Sequence, residues 1–172
     1  MSTASDTTLP ALSVRTLRTL AELVEVEGFW REHAAHPWSD LDYLRAVLAA
    51  QPEFLRPHVL VLTRAERTVA LVAGSLRRER FPFKIGSFVL WRSRARVLHV
   101  GTGGAMGEES PEVARAVRAE CLAALARGEA DAAYAHQLDR GGELARALQD
   151  VSALARDRRA RPSAGWLLEL PA

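Results

Sequence analysis

RVLHVGTGGAMGEESPEVARAVRAECLAALAR, residues Arg96 to Arg127, decides how this chain is read. Val97, Leu98 and Val100 make a short apolar strand. Gly101, Gly103, Gly104 and Gly107 make a glycine-rich loop. Ser110 then suits an N-cap, with Pro111 at the first helical position and Glu112 in the first turn. A strand that enters a helix through glycines leaves backbone N–H groups free at the helix N-terminus, the geometry of an anion site, usually for phosphate. The alternative is a flexible connection between two packed elements.

Outward from that stretch, 172 residues suit one domain with a sizeable core. Hydrophobic residues at 48% and charged residues at 26% are ordinary for a globular chain. No apolar run reaches the length of a membrane span, and MSTASDTTLP has neither the basic nor the apolar region of a secretory signal. Cys121 is the only cysteine, so no disulfide forms within the chain, which suits a cytoplasmic protein. Lys84 is the only lysine, and arginines cluster at 77–80, 92–96 and 156–161. With no reading module and with acids among the arginines, these clusters read as solvated faces and not as a nucleic-acid footprint.

In chain order, residues 1–10 read as disordered and residues 11–172 as a single domain. Leu12, Val14 and Leu17 suggest a strand. Thr19 and Glu22 form a capping box ahead of an apolar face of Leu20, Leu23, Val24, Val26 and Trp30. Ser39 starts a second helix through Leu41, Leu44, Val47 and Leu48, closed by Pro52, with Trp30, Trp38 and Tyr43 as packing residues between the two. His58–Thr63 and Thr68–Leu76 form a hairpin about a polar turn. Phe81–Trp91 covers the sheet or lines a groove. Val113, Val117, Cys121 and Leu125 share one face of the long helix, which makes Cys121 a core residue. Ala132–Leu138 is a further strand, Leu144 and Leu148 mark a short helix, and two strand-like pieces end the chain. The order predicts a mixed α/β domain with helices on a largely antiparallel sheet.

Three kinds of glycine loop fit unequally. A P-loop needs Lys and Ser or Thr where Glu108 and Glu109 stand. A methyltransferase or Rossmann opening needs several βα units to follow, and an acid at the end of the second strand, where this chain has the middle of a helix. His33 and His36 lack a Cys or carboxylate to complete a metal set, so no metal is expected. Asp131, His136 and Asp139 with Ser152 have no nucleophile elbow, and turn or cap roles suffice for them.

The third kind is the GNAT acetyltransferase superfamily, which the chain resembles in element order. It is most similar to the N-terminal half of tandem acyltransferases related to cellulose-biosynthesis acetyltransferases and Fem-type transferases. The resembling pieces are FPFKIGSFVLWRSRARVLHVGTGGAMGE, RGEADAAYAHQL and GWLLELP. The resemblance implies a GNAT-like fold and an acyl-CoA co-substrate, acetyl-CoA or another. It implies a small-molecule or peptide-like amine or hydroxyl acceptor, and a second GNAT-like half or a second copy as partner. Val100 would contact pantetheine through its backbone. Gly101, Thr102, Gly103, Gly104, Ala105, Met106 and Gly107 would cradle the pyrophosphate. No catalytic residue is carried over. The loop lacks the family's leading Gln or Arg, the helix after the fifth strand lacks its tyrosine, and Glu108 and Glu109 would repel a pyrophosphate. Those departures leave a non-catalytic docking or groove-shaping module as the alternative, with methyl transfer third.

Overall fold

The computed structural model describes residues 10–85, 87–139 and 141–149. The readings made for residues 1–9, for the two C-terminal strand-like pieces and for Ser152 lie outside the described residues.

The architecture is mixed α/β, with a six-stranded, mostly antiparallel sheet. Its strands are β1 (Leu12–Leu17), β2 (Phe54–Pro57), β3 (Val59–Arg64), β4 (Arg67–Ile85), β5 (Phe88–Gly107) and β6 (Ala132–Ala135). The order is β1-β3-β4-β5-β6, with β2 also paired to β4. Among the described strands, only β5 and β6 run parallel. The helices are α1 (Glu27–His33), α2 (Leu41–Ala50), α3 (Pro111–Ala126) and α4 (Glu143–Gln149). No described helix is long and apolar enough to cross a membrane.

Strand alternation sorts the core into two layers. Leu60, Leu62, Val72, Leu98 and Val100 face Val113, Val117, Cys121 and Ala124 of α3. Val59, Val61, Leu71 and Ala73 face Leu23, Trp30 and Leu41 on the α1–α2 side. Cys121 is buried as expected, and burial pushes its thiol up to about 11. Trp30 is buried, its indole N–H donating to the Ser39 carbonyl at 2.6 Å, which ties α1 to the turn before α2.

The Thr19–Glu22 capping box forms: each side chain accepts from the other's backbone N–H. Ser110 Oγ accepts from Val113 N at the start of α3, with Pro111 at its first position. Several expectations are corrected. Leu20 and Val24 are exposed: Leu20 lies in the turn ahead of the helical residues, and a 3-10 turn over Glu22–Val26 rotates Val24 off the apolar face. Asp40, not Ser39, caps α2, its carboxylate accepting from Asp42 N and Tyr43 N. Trp38 and Tyr43 are exposed, their rings 5.9 Å apart on the surface and not between the helices. Ala132–Leu138 is a strand only as far as Ala135.

Gly101–Gly107 is not a loop but the last third of β5. Likewise Phe81–Trp91 neither covers the sheet nor lines a groove. It forms the outer part of a hairpin in which β4 and β5 pair from Ala70↔Gly107 to Ile85↔Phe88.

Candidate active site

Within β5 the pairing to β4 breaks once near the middle. Val100 lies opposite Gly74 and Ala105 opposite Val72, so four residues of β5, Gly101 to Gly104, stand against Ala73 alone. This wide bulge adds an odd number of residues and inverts the alternation beyond it. Val100 points into the α3 layer, whereas Met106 points into the α1–α2 layer beside Trp30. Met106, expected in a phosphate cradle, therefore has its side chain in the core.

The glycines answer to the fold first. Gly103 and Gly107 have φ of +66° and +87°, where L side chains are strained. A Cβ at Gly103 would meet His36 Cβ at 2.6 Å, and one at Gly104 would meet the Ala73 carbonyl at 2.6 Å. Of the four glycines, only Gly101 leaves open space for an added Cβ. Thr102 sits within the bulge and Ala105 is the first residue back in register. The Val100 carbonyl accepts the His136 N–H at 3.0 Å, so this backbone group, expected to contact pantetheine, is already paired within the protein.

The bulge is where two clefts meet. On the α3 side a cleft of about 390 Å³ runs between Gly101–Ser110, the first turns of α3 and residues 137–145. That size falls within the range of small-ligand pockets. On the α1–α2 side a smaller cleft of about 40 Å³ lies among Trp38, Asp40, Tyr43, Phe54, Arg77 and His99. Gly101 and Gly104 line both. The sheet is thus thinned to backbone at the point between them.

The large cleft is acidic. Glu108, Glu109, Asp139 and Glu143 line it, and no arginine or lysine does among the described residues. Part of that charge is spoken for. Arg64 donates to Glu108 and Glu112 at 2.6 Å each, and Ser110 donates to Glu108, which holds Glu108 below the usual carboxylate range. Glu109 accepts from the backbone N–H of Glu143 at 2.9 Å.

Beside the small cleft, three side chains assemble that the sequence left unconnected. The parallel register sets His99 of β5 against Tyr134 of β6, with His136 two residues on. Ring centroids are 5.1 Å apart for His99–Tyr134, 6.2 Å for His99–His136 and 5.8 Å for Tyr134–His136. His99 is largely buried, its Nδ1 has no partner, and burial and then Arg77 lower its pKa to about 4. It is neutral at pH 7. Arg77 stacks on Phe54 at 3.9 Å and donates to Ser75 at 3.0 Å. The signal for this group was the Tyr-x-His spacing at the end of β6, but only the register brings His99 to it. His33 and His36 do not join a metal set: no cluster that could hold a metal occurs among the described residues. Asp131 pairs with Arg96, and Asp139 accepts from Gly141 N in a turn.

Comparison with protein-family models, with curated proteins and with solved structures finds no match to this chain.

Proposed function

We propose that this chain is an acyl-transfer domain of the GNAT-like kind, moving an acyl group from acyl-CoA to an amine or hydroxyl acceptor in the cytoplasm. One observation carries the reading: two clefts on opposite faces of the sheet meet at the β5 bulge, beside the end of the β5–β6 parallel pair. A thioester reaching through from the α3 side would present its carbonyl to an acceptor lying over His99 and Tyr134.

Rate enhancement in this arrangement comes from holding donor and acceptor together and from moving one proton. The acceptor nitrogen or oxygen attacks the thioester carbonyl, loses its proton, and the C–S bond breaks. His99 and His136 are the groups placed to take that proton, and Tyr134 is placed to return one to the departing thiolate. A His99 with a pKa of about 4 is neutral but weakly basic.

The acidic lining of the large cleft favours a second reading, a GNAT-like module that binds no CoA and serves a partner domain. Calorimetric titration with acetyl-CoA separates the two. Micromolar affinity that Gly101→Glu abolishes supports acyl transfer. No heat at millimolar acetyl-CoA removes it and leaves the docking module.

A further inference from the structure

The β4–β5 hairpin outruns the sheet. Pairing with β2 ends at Arg77 and pairing with β6 begins at Val97, whereas β4 and β5 stay paired out to Ile85↔Phe88. Residues 79–85 and 88–95 are therefore a two-stranded ribbon with no further described strand beside it, about 24 Å long at the usual rise per residue.

Its two properties are unusual together. First, Arg78↔Arg96 and Arg80↔Arg94 are direct cross-strand pairs, followed by Pro82↔Arg92, so five arginines share one exposed face. Like charges opposite each other destabilise a ribbon. Arg96 has Asp131, but no ion pair among the described residues reaches Arg78, Arg80, Arg92 or Arg94. Elsewhere Arg15, Arg18, Arg31, Arg45, Arg56 and Arg64 are all paired with acids. Residues 77–96 hold seven basic residues and one acid in a chain of net charge +2, so the remainder of the chain is net acidic. Second, the end of the ribbon is apolar and open: Ile85 is 69% exposed, Phe88 79% and Leu90 55%.

We propose that this ribbon docks the protein on an anionic bilayer, with Ile85, Phe88 and Leu90 entering the acyl boundary and the arginine face lying among the phosphates. The spacing suits this. Pro82↔Arg92 lies three to four residues behind the tip, about 10 Å, close to the depth at which interfacial segments bury their apolar side. Counter-ions missing from the protein are then supplied by the lipid headgroups. A second copy adding a strand to β4 is disfavoured, because Pro82 offers no N–H there and the arginine faces of the two copies would repel. A nucleic acid would neutralise the arginines but leaves the apolar tip without a role. The proposal does not depend on acyl transfer.

The test is flotation of the full chain with vesicles of phosphatidylcholine alone or with about 30% phosphatidylglycerol. Binding is expected only with the anionic lipid, and should fall at least about tenfold both in Arg80→Glu/Arg94→Glu and in Ile85→Ser/Phe88→Ser. Circular dichroism controls for folding, and Phe88→Trp should be quenched by brominated acyl chains if the tip enters the bilayer. Absence of binding to anionic vesicles overturns the proposal. So does binding that ignores the Ile85→Ser/Phe88→Ser change, or a Phe88→Trp that brominated lipid leaves unquenched. Salt-sensitive binding of duplex DNA in the absence of vesicle binding assigns the arginines to nucleic acid instead.

Discussion

Tyr134 faces His99 across the parallel β5–β6 ladder, their ring centroids 5.1 Å apart. The pairing lies beside the bulge where the two clefts meet. If this is the reacting centre, Tyr134→Phe and His136→Gln should each lower kcat by about ten- to a hundredfold while leaving KM for acetyl-CoA unchanged. Steady-state kinetics against a panel of amine acceptors checks this. Equal losses in acetyl-CoA affinity would assign these residues to binding.

Gly104 and Gly101 should behave in opposite ways although three residues apart. A Cβ at 104 lands on the backbone carbonyl of Ala73, which cannot swing aside, so Gly104→Ala should cost about 2–4 kcal/mol. Gly101→Ala meets open space and should stay within about 1 kcal/mol of the parent. Chemical denaturation of both variants decides it, and makes Gly101 the position at which ligand binding can be tested without unfolding the sheet.

The β3–β4 turn holds Ala65 and Glu66 at φ of 48° and 65°. A two-residue hairpin turn with both angles positive prefers Asn-Gly. Ala65→Asn/Glu66→Gly should therefore raise stability by about 1 kcal/mol, read as a higher Tm with an unchanged denaturant slope.

Glu129 accepts from Arg18, Arg56 and Arg127, which lower its carboxyl pKa to about 2 and join the end of β1, β2 and the end of α3. Its folded pKa lies below its unfolded one, so this stabilisation is complete above about pH 5 and is lost as pH falls toward 2. Glu129→Gln should lower Tm at pH 7 and flatten the acid limb in that window.

His58 titrates earlier. It is buried, its Nε2 has no partner, and burial followed by Arg56 lowers its pKa to about 4. Between pH 6.5 and 4 the unfolded chain binds a proton that the folded chain does not, so stability is full above 6.5 and declines as pH falls. His58→Met should flatten Tm against pH in that interval and leave the Glu129 window in place.

Much of the architecture was legible because it rests on local chemistry. Ser110, Pro111 and the four-residue spacing of Val113, Val117 and Cys121 specify α3 within one stretch. Thr19 and Glu22 cap each other three residues apart. The apolar, β-branched run His58–Thr63 announces a strand. The large extent of β4 and β5 was not legible, because Pro82 and Gly86 read as strand breakers. The two-stranded hairpin accepts Pro82, having no further described strand beside it that needs the missing N–H.

The sequence by itself determined where most helices and strands lie, which of their faces are apolar, and that a glycine-rich stretch leads into α3, since each follows from periodicity and caps within a few residues. Only the tertiary structure decided what that stretch does. Gly101–Gly104 became a bulge because β4 supplies one residue against four, and Met106 turned into the core for the same reason. His99 met Tyr134 through a strand register that joins segments far apart in the chain, and Arg64 reached Glu108 across the sheet. Register and bulge depend on which backbone groups remain to be paired once the whole sheet has assembled, and no local pattern carries that information.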